Sequence, residues 1–103
     1  MPEFGHPFSG LAKERKLSAQ ELIRAIRFLI AAEYEAIQLY MQLAESIDDE
    51  LAQEVLIDIA DEERVHAGEF LRLLKYLEPE EEEFYAEGAA EVDEIYEDLK
   101  NKK

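Results

Sequence analysis

The chain has 103 residues, 26 acidic against 11 basic, for a net charge of −15. That length builds one small domain, and the charge argues against nucleic acid or an anionic membrane surface as a partner. With no cysteine, disulfides, zinc thiolate sites and iron–sulfur clusters are excluded.

The apolar fraction of 48% argues against disorder. No stretch approaches the ~18 apolar residues of a membrane span, and no charged-then-greasy leader opens the chain. The expectation is a cytoplasmic protein.

Residues 1–17 hold two prolines and two glycines and read as an irregular N-terminal arm, with His6 facing solvent. Ser18-Ala-Gln-Glu21 is a capping box, serine at the cap and glutamate three residues on. A first helix is predicted from about Ala19 to about Ser46. Ile47-Asp48-Asp49 supplies a turn, with Asp48 as the cap of a second helix from about Asp49 to Leu77. Glu78-Pro79 stops that helix. The hairpin domain spans 18–78.

Residues 79–103 form an acidic C-terminal helical tail, and Gly88 is expected to interrupt its helix. Phe84, Tyr85, Val92, Ile95, Tyr96 and Leu99 give it a thin apolar stripe. Its acid run reads as a solvated face, with guidance of cations as the other reading.

In core steps the first helix reads Leu22, Ile26, Leu29, Glu33, Ala36, Tyr40, Leu43, Ile47. The second reads Ala52, Val55, Ile59, Glu63, His66, Phe70, Leu73, Leu77. Every rung is apolar or aromatic except Glu33, Glu63 and His66. A carboxylate or imidazole in an apolar seam is costly unless paired, and a metal ion suits two carboxylates and an imidazole.

Two helices joined by a short turn run antiparallel. A turn centred near residues 47 and 48 makes positions summing to about 95 level, which sets Glu33 within one ~1.5 Å step of Glu63. His66 follows Glu63 by three on the same face. The other reading of the trio is a polar cluster that fixes bundle register.

The two helical seams of one chain supply one Glu and one Glu-x-x-His. Carboxylate-bridged di-iron bundles need two of each, from four helices. Two chains related by a two-fold supply the full set, and a two-helix hairpin cannot enclose a core alone. The fold expected is therefore all-α. An antiparallel two-helix hairpin with an acidic C-terminal helix dimerises into a four-helix bundle, using Ile23, Ile30, Tyr34, Ile37 and Met41 as the pairing flank.

The stretch Ala32-Glu-Tyr-Glu-Ala-Ile-Gln-Leu-Tyr40, with Asp61-Glu-Glu-Arg-Val-His66, resembles the encapsulated ferritins, short ferritin-like proteins housed inside encapsulin nanocompartments. The similarity runs from about Ser18 to Gly88. The Glu and Glu-x-x-His parts are shared with the wider ferritin superfamily.

The resemblance implies a ferroxidase that oxidises Fe(II) with O2 at a di-iron site across a homodimer, in a ring-shaped decamer, feeding iron storage in a separate encapsulin shell. It implies Glu33, Glu63 and His66 as ligands, with Tyr40 beside the site. Tyr40 also reads simply as a large core residue.

Glu35 points away from Glu33. The family uses its position in a secondary metal site, where a second acid typically stands at the place of Ala32. Glu62 and Glu69 are candidates to hydrogen-bond His66. No cargo-docking peptide is apparent at Asn101-Lys-Lys. The alternatives are a non-catalytic metal-binding or adaptor bundle, and a rubrerythrin-like di-iron peroxidase. The latter usually carries paired cysteines, which this chain lacks.

Overall fold

A computed structural model describes residues 15–102. The arm expected over residues 1–17, with His6, lies outside these apart from Arg15, Lys16 and Leu17, as does Lys103 at the other end.

Three helices account for nearly all of the described chain: α1 (Ala19–Glu45), α2 (Glu50–Leu77) and α3 (Glu80–Asn101). α1 opens on the expected capping box. Glu21 N–H donates to the Ser18 hydroxyl at 3.2 Å, and Ser18 N–H donates to the Glu21 carboxylate at 2.9 Å. Arg15 forks onto the same carboxylate at 2.7 and 2.8 Å. These contacts hold Glu21 down at a pKa of about 2, the Arg15 hydrogen bond contributing most.

The cap of α2 is Asp49 rather than Asp48. Its carboxylate accepts from Ala52 N–H at 2.8 Å, so the helix starts one residue later than expected. Gln53 braces the turn, donating from Nε2 to the carbonyls of Ile47 at 2.6 Å and Ala44 at 3.3 Å. The Ala44 contact makes positions summing to about 97 level, close to the expected register.

Among the described residues the buried ones are all apolar: Ile23, Ile26, Ile30, Ile37 and Ala44 on α1, and Ala60, Ala67 and Leu74 on α2. Seven-residue spacing recurs on both helices, the period of a left-handed antiparallel pair. The buried positions are mostly isoleucines on α1, and on α2 two alanines and Leu74.

This corrects the expected seam. Ile23, Ile30 and Ile37 are not a flank awaiting a second chain; they close the hairpin itself. Leu22, Leu29, Leu43, Val55 and Leu73, expected in the core, stand 38–47% exposed. The physical reason is that α1 is apolar on two adjacent faces, and the one through Ile23, Ile26 and Ile30 packs with Leu74, Phe70, Leu71 and Leu77 of α2.

Gly88 does not interrupt α3, which runs unbroken through it. Mid-helix glycine costs only about 1 kcal/mol against alanine, and Ala86, Ala89 and Ala90 surround it. Glu80 to Glu83 crowd the first turn, where carboxylates complement the helix dipole. No residue of α3 is buried.

The radius of gyration is 18.4 Å, against about 13 Å for a compact chain of this length. A single copy does not close around its own apolar surface.

Candidate metal centre

The trio singled out in the sequence converges. One ligand atom each from Glu33, Glu63 and His66 lies within 4.8 Å of the others. His66 Nδ1 is 3.7 Å from Glu63 Oε1 and 3.9 Å from Glu33 Oε2. Glu33 comes from the middle of α1, and Glu63 with His66 occupies one face of α2 three residues apart.

These distances are too long for hydrogen bonds, so the three groups share a space without satisfying one another. Glu33 Oε2 is buried with no hydrogen-bond partner. A buried carboxylate oxygen left unmet is costly. Its neighbours are another carboxylate and an imidazole nitrogen, a donor set that fits a divalent first-row metal ion.

The local charge supports the same reading. From Phe28 to Glu63 the chain carries eleven acids and no lysine or arginine, so the field along this half of the hairpin favours a cation. The next basic residue, Arg64, is exposed and pairs with Asp61 at 2.8 Å. That charge segregation was readable in the sequence but is easily lost beneath the acidity of the whole chain.

The side chains of Glu33 and Glu63 are 17% and 20% exposed, and that of His66 is 49% exposed. Three ligands lie at the edge of the hairpin, with the imidazole on its open side. Exposed and half-buried apolar residues continue across this edge. Leu22, Leu29, Ala36 and Leu43 recur every seven residues on α1, as do Ile59, His66 and Leu73 on α2. The trio thus sits within a second, uncovered apolar seam beside the one that closes the hairpin.

The remaining sequence candidates fall elsewhere. Tyr40 is half-buried on α1, two turns beyond Glu33. Glu35 is exposed and outside the trio. Glu62 and Glu69 are exposed, and neither carboxylate comes within 4.0 Å of an imidazole nitrogen of His66.

A long antiparallel hairpin with a mid-helix Glu facing Glu-x-x-His is half of a ferritin-like bundle. The family model described as Rubrerythrin matches residues 25–102. The crystal structure of an encapsulated ferritin domain from Pyrococcus furiosus superposes with a TM-score of 0.78 at 39% identity, over 80% of this chain and 84% of that one.

Two curated relatives are similar over shorter shares of their own length. A ferritin-like–encapsulin shell fusion protein of Pyrococcus furiosus is 39% identical over 83 residues, which is 81% of this chain and 24% of the relative. The encapsulin nanocompartment cargo protein EncC of Myxococcus xanthus is 42% identical over 76 residues, 74% of this chain and 58% of that protein. The chain belongs to the rubrerythrin family of ferritin-like proteins, on its encapsulated-ferritin side.

Proposed function

We propose that the chain is a ferroxidase whose di-iron site is completed by a second copy of itself. The observation that carries this reading is the three-ligand half-site, Glu33, Glu63 and His66, set in an uncovered apolar seam. A two-fold that pairs this seam with its copy doubles the ligands to four carboxylates and two imidazoles, and it buries the exposed leucines.

Fe(II) is the substrate. Glu33 and Glu63 offer hard oxygen donors, which favour Fe(III) over Fe(II) and so ease electron loss. Two irons give one electron each, and O2 takes two electrons and two protons. Half-exposed His66 supplies a terminal nitrogen. The acid-only stretch from Phe28 to Glu63 gathers the cation, and Tyr40 closes the bundle beyond the site.

In this reading the hairpin, residues 18–78, is the catalytic unit. The tail, residues 79–103, lies outside that unit, and assembly of the dimers into a ring, a decamer, is what the resemblance implies. Because relatives are named as an encapsulin shell fusion and an encapsulin cargo protein, the proposed place of action is an encapsulin compartment in the cytoplasm. A separate shell would store the mineral. Among the described residues no helix is long and apolar enough to cross a membrane.

The test is aerobic addition of Fe(II) to metal-free protein, with near-ultraviolet absorbance recording Fe(III). Oxidation well above the protein-free rate, lost in Glu63→Ala/His66→Ala, supports the ferroxidase. Oxidation driven by hydrogen peroxide but not by O2 would favour the peroxidase chemistry of rubrerythrins. Rates equal to buffer with both oxidants would leave a polar cluster or a redox-silent ion site.

A further inference from the structure

α3 is joined to the hairpin in an unusual way for a helix of 22 residues: it has no buried residue. Among its described residues only Glu81 is not exposed, its side chain being 15% accessible. Both oxygens of that carboxylate are engaged. Oε1 accepts from Arg27 Nη2 on α1, 54 residues away in sequence. Oε2 accepts from the Tyr85 hydroxyl one turn along α3, at 2.5 Å.

The Arg27 and Tyr85 side chains line an open groove of about 460 Å³ whose walls also include Tyr34, Leu71 and Leu74. Only Glu78 and Pro79 link α2 to α3, and Glu78 N–H is spent closing α2 on the Leu74 carbonyl. The one other ion pair between α3 and the hairpin among the described residues is Lys75 to Glu82, at 4.0 Å.

We infer that the Arg27–Glu81–Tyr85 cluster is a clamp that sets the direction of α3 against the hairpin, and that opening it frees α3 as a rigid helix. A short linker leaves a range of angles open, and no buried residue of α3 selects among them. A charge-assisted carboxylate pair with a second hydrogen bond from Tyr85 does select one, because both oxygens are directional acceptors. The direction matters because α3 carries Phe84, Val92, Ile95, Tyr96 and Leu99 on its surface, and the clamp decides where that apolar edge points.

The groups that act on the carboxylate are Arg27 on α1 and Tyr85 on α3; Tyr34 of α1 acts on the Tyr85 hydroxyl, and Lys75 of α2 pairs with the neighbouring Glu82. The Tyr85 and Arg27 hydrogen bonds hold the Glu81 carboxyl below its ordinary range. The clamp therefore survives mild acid and opens as pH falls through that lowered value. None of these residues belongs to the metal trio, so clamp and ferroxidase stand or fall separately.

The test is a distance measurement in the full chain. It has no native cysteine, so spin labels go only to Gln38→Cys on α1 and Ala90→Cys on α3. Unlabelled protein is added in excess so that only distances within one chain are read. The expected result is one narrow distance in the parent, and at least a twofold wider distribution in Glu81→Ala and in Arg27→Ala at unchanged helicity. The exchanged pair Arg27→Glu/Glu81→Arg should narrow it again. Single variants that stay narrow would overturn the clamp. So would loss of helicity in the single variants, or an exchanged pair as broad as they are.

Discussion

Replacing Glu33 by methionine separates the metal-site reading from the register reading through a change of sign. Glu33 Oε2 is buried and unpartnered, in a side chain 17% exposed. A buried polar atom without a partner costs about 1–3 kcal/mol. Methionine keeps the length of the side chain and a similar helix propensity. Metal-free Glu33→Met should therefore be more stable than the parent by about 1–2 kcal/mol, the residual exposure holding the gain below the upper figure.

For a domain of this size each kcal/mol moves Tm by roughly 4–8 °C. A bound ion reverses the order. At a free concentration one hundred times Kd, a ligand stabilises the folded protein by about 2.7 kcal/mol, which the parent gains and the variant forgoes.

The assay is thermal unfolding followed by circular dichroism at fixed protein concentration, with chelator or with Zn(II) as a redox-silent probe. The variant should melt higher in chelator and lower with zinc. A variant that melts below the parent in chelator would mean that the carboxylate is already paired, as the register reading requires. Equal stabilisation of both by zinc would remove Glu33 from the ligand set.

Three further outcomes follow from the same structure. Leu29→Glu places a charge on the uncovered seam at a position 43% exposed in the single chain. It should reduce the mass in solution to that of one chain at unchanged helicity and abolish Fe(II) oxidation; light scattering that still shows the parent's mass would place the interface elsewhere. Gly88→Ala adds a Cβ that meets nothing within 4 Å, so it should raise stability by about 1 kcal/mol through helix propensity, read as a higher denaturant midpoint. Glu21 should titrate near pH 2 by carbon-detected NMR and return toward the ordinary value near 4.3 in Arg15→Ala. Because its pKa is lowered by folding, its contribution is complete above about pH 4 and is lost as pH falls through about 2.

The hairpin was legible because its signals are local. Ser18 and Glu21 announce the first cap, the aspartates near 48 mark the turn, and Pro79 ends the second helix. The trio was legible because three polar residues interrupt an otherwise apolar rung pattern, and an antiparallel register brings them level.

What escaped depends on choices between distant surfaces. α1 has adjacent apolar faces, one through Ile23, Ile30 and Ile37 and one through Leu22, Leu29 and Leu43. Periodicity alone does not say which faces α2 and which is left uncovered. The decision lies in how Ile23, Ile26 and Ile30 pack with Leu74 and its neighbours across the seam, a property of the pair. The contact of Arg27 with Glu81 was hidden for the same reason, since it depends on the angle at which α3 leaves Pro79.

The central claim is that each chain contributes half of a two-iron site, and the iron count at saturation tests it most directly. Metal-free protein is titrated anaerobically with Fe(II), with the mass in solution measured on the same sample. The account predicts saturation at one iron per chain in a dimer or a multiple of it, with Glu33→Met, Glu63→Ala and His66→Ala each losing that binding. Two irons bound to a single chain, or no saturable binding at all, would contradict it.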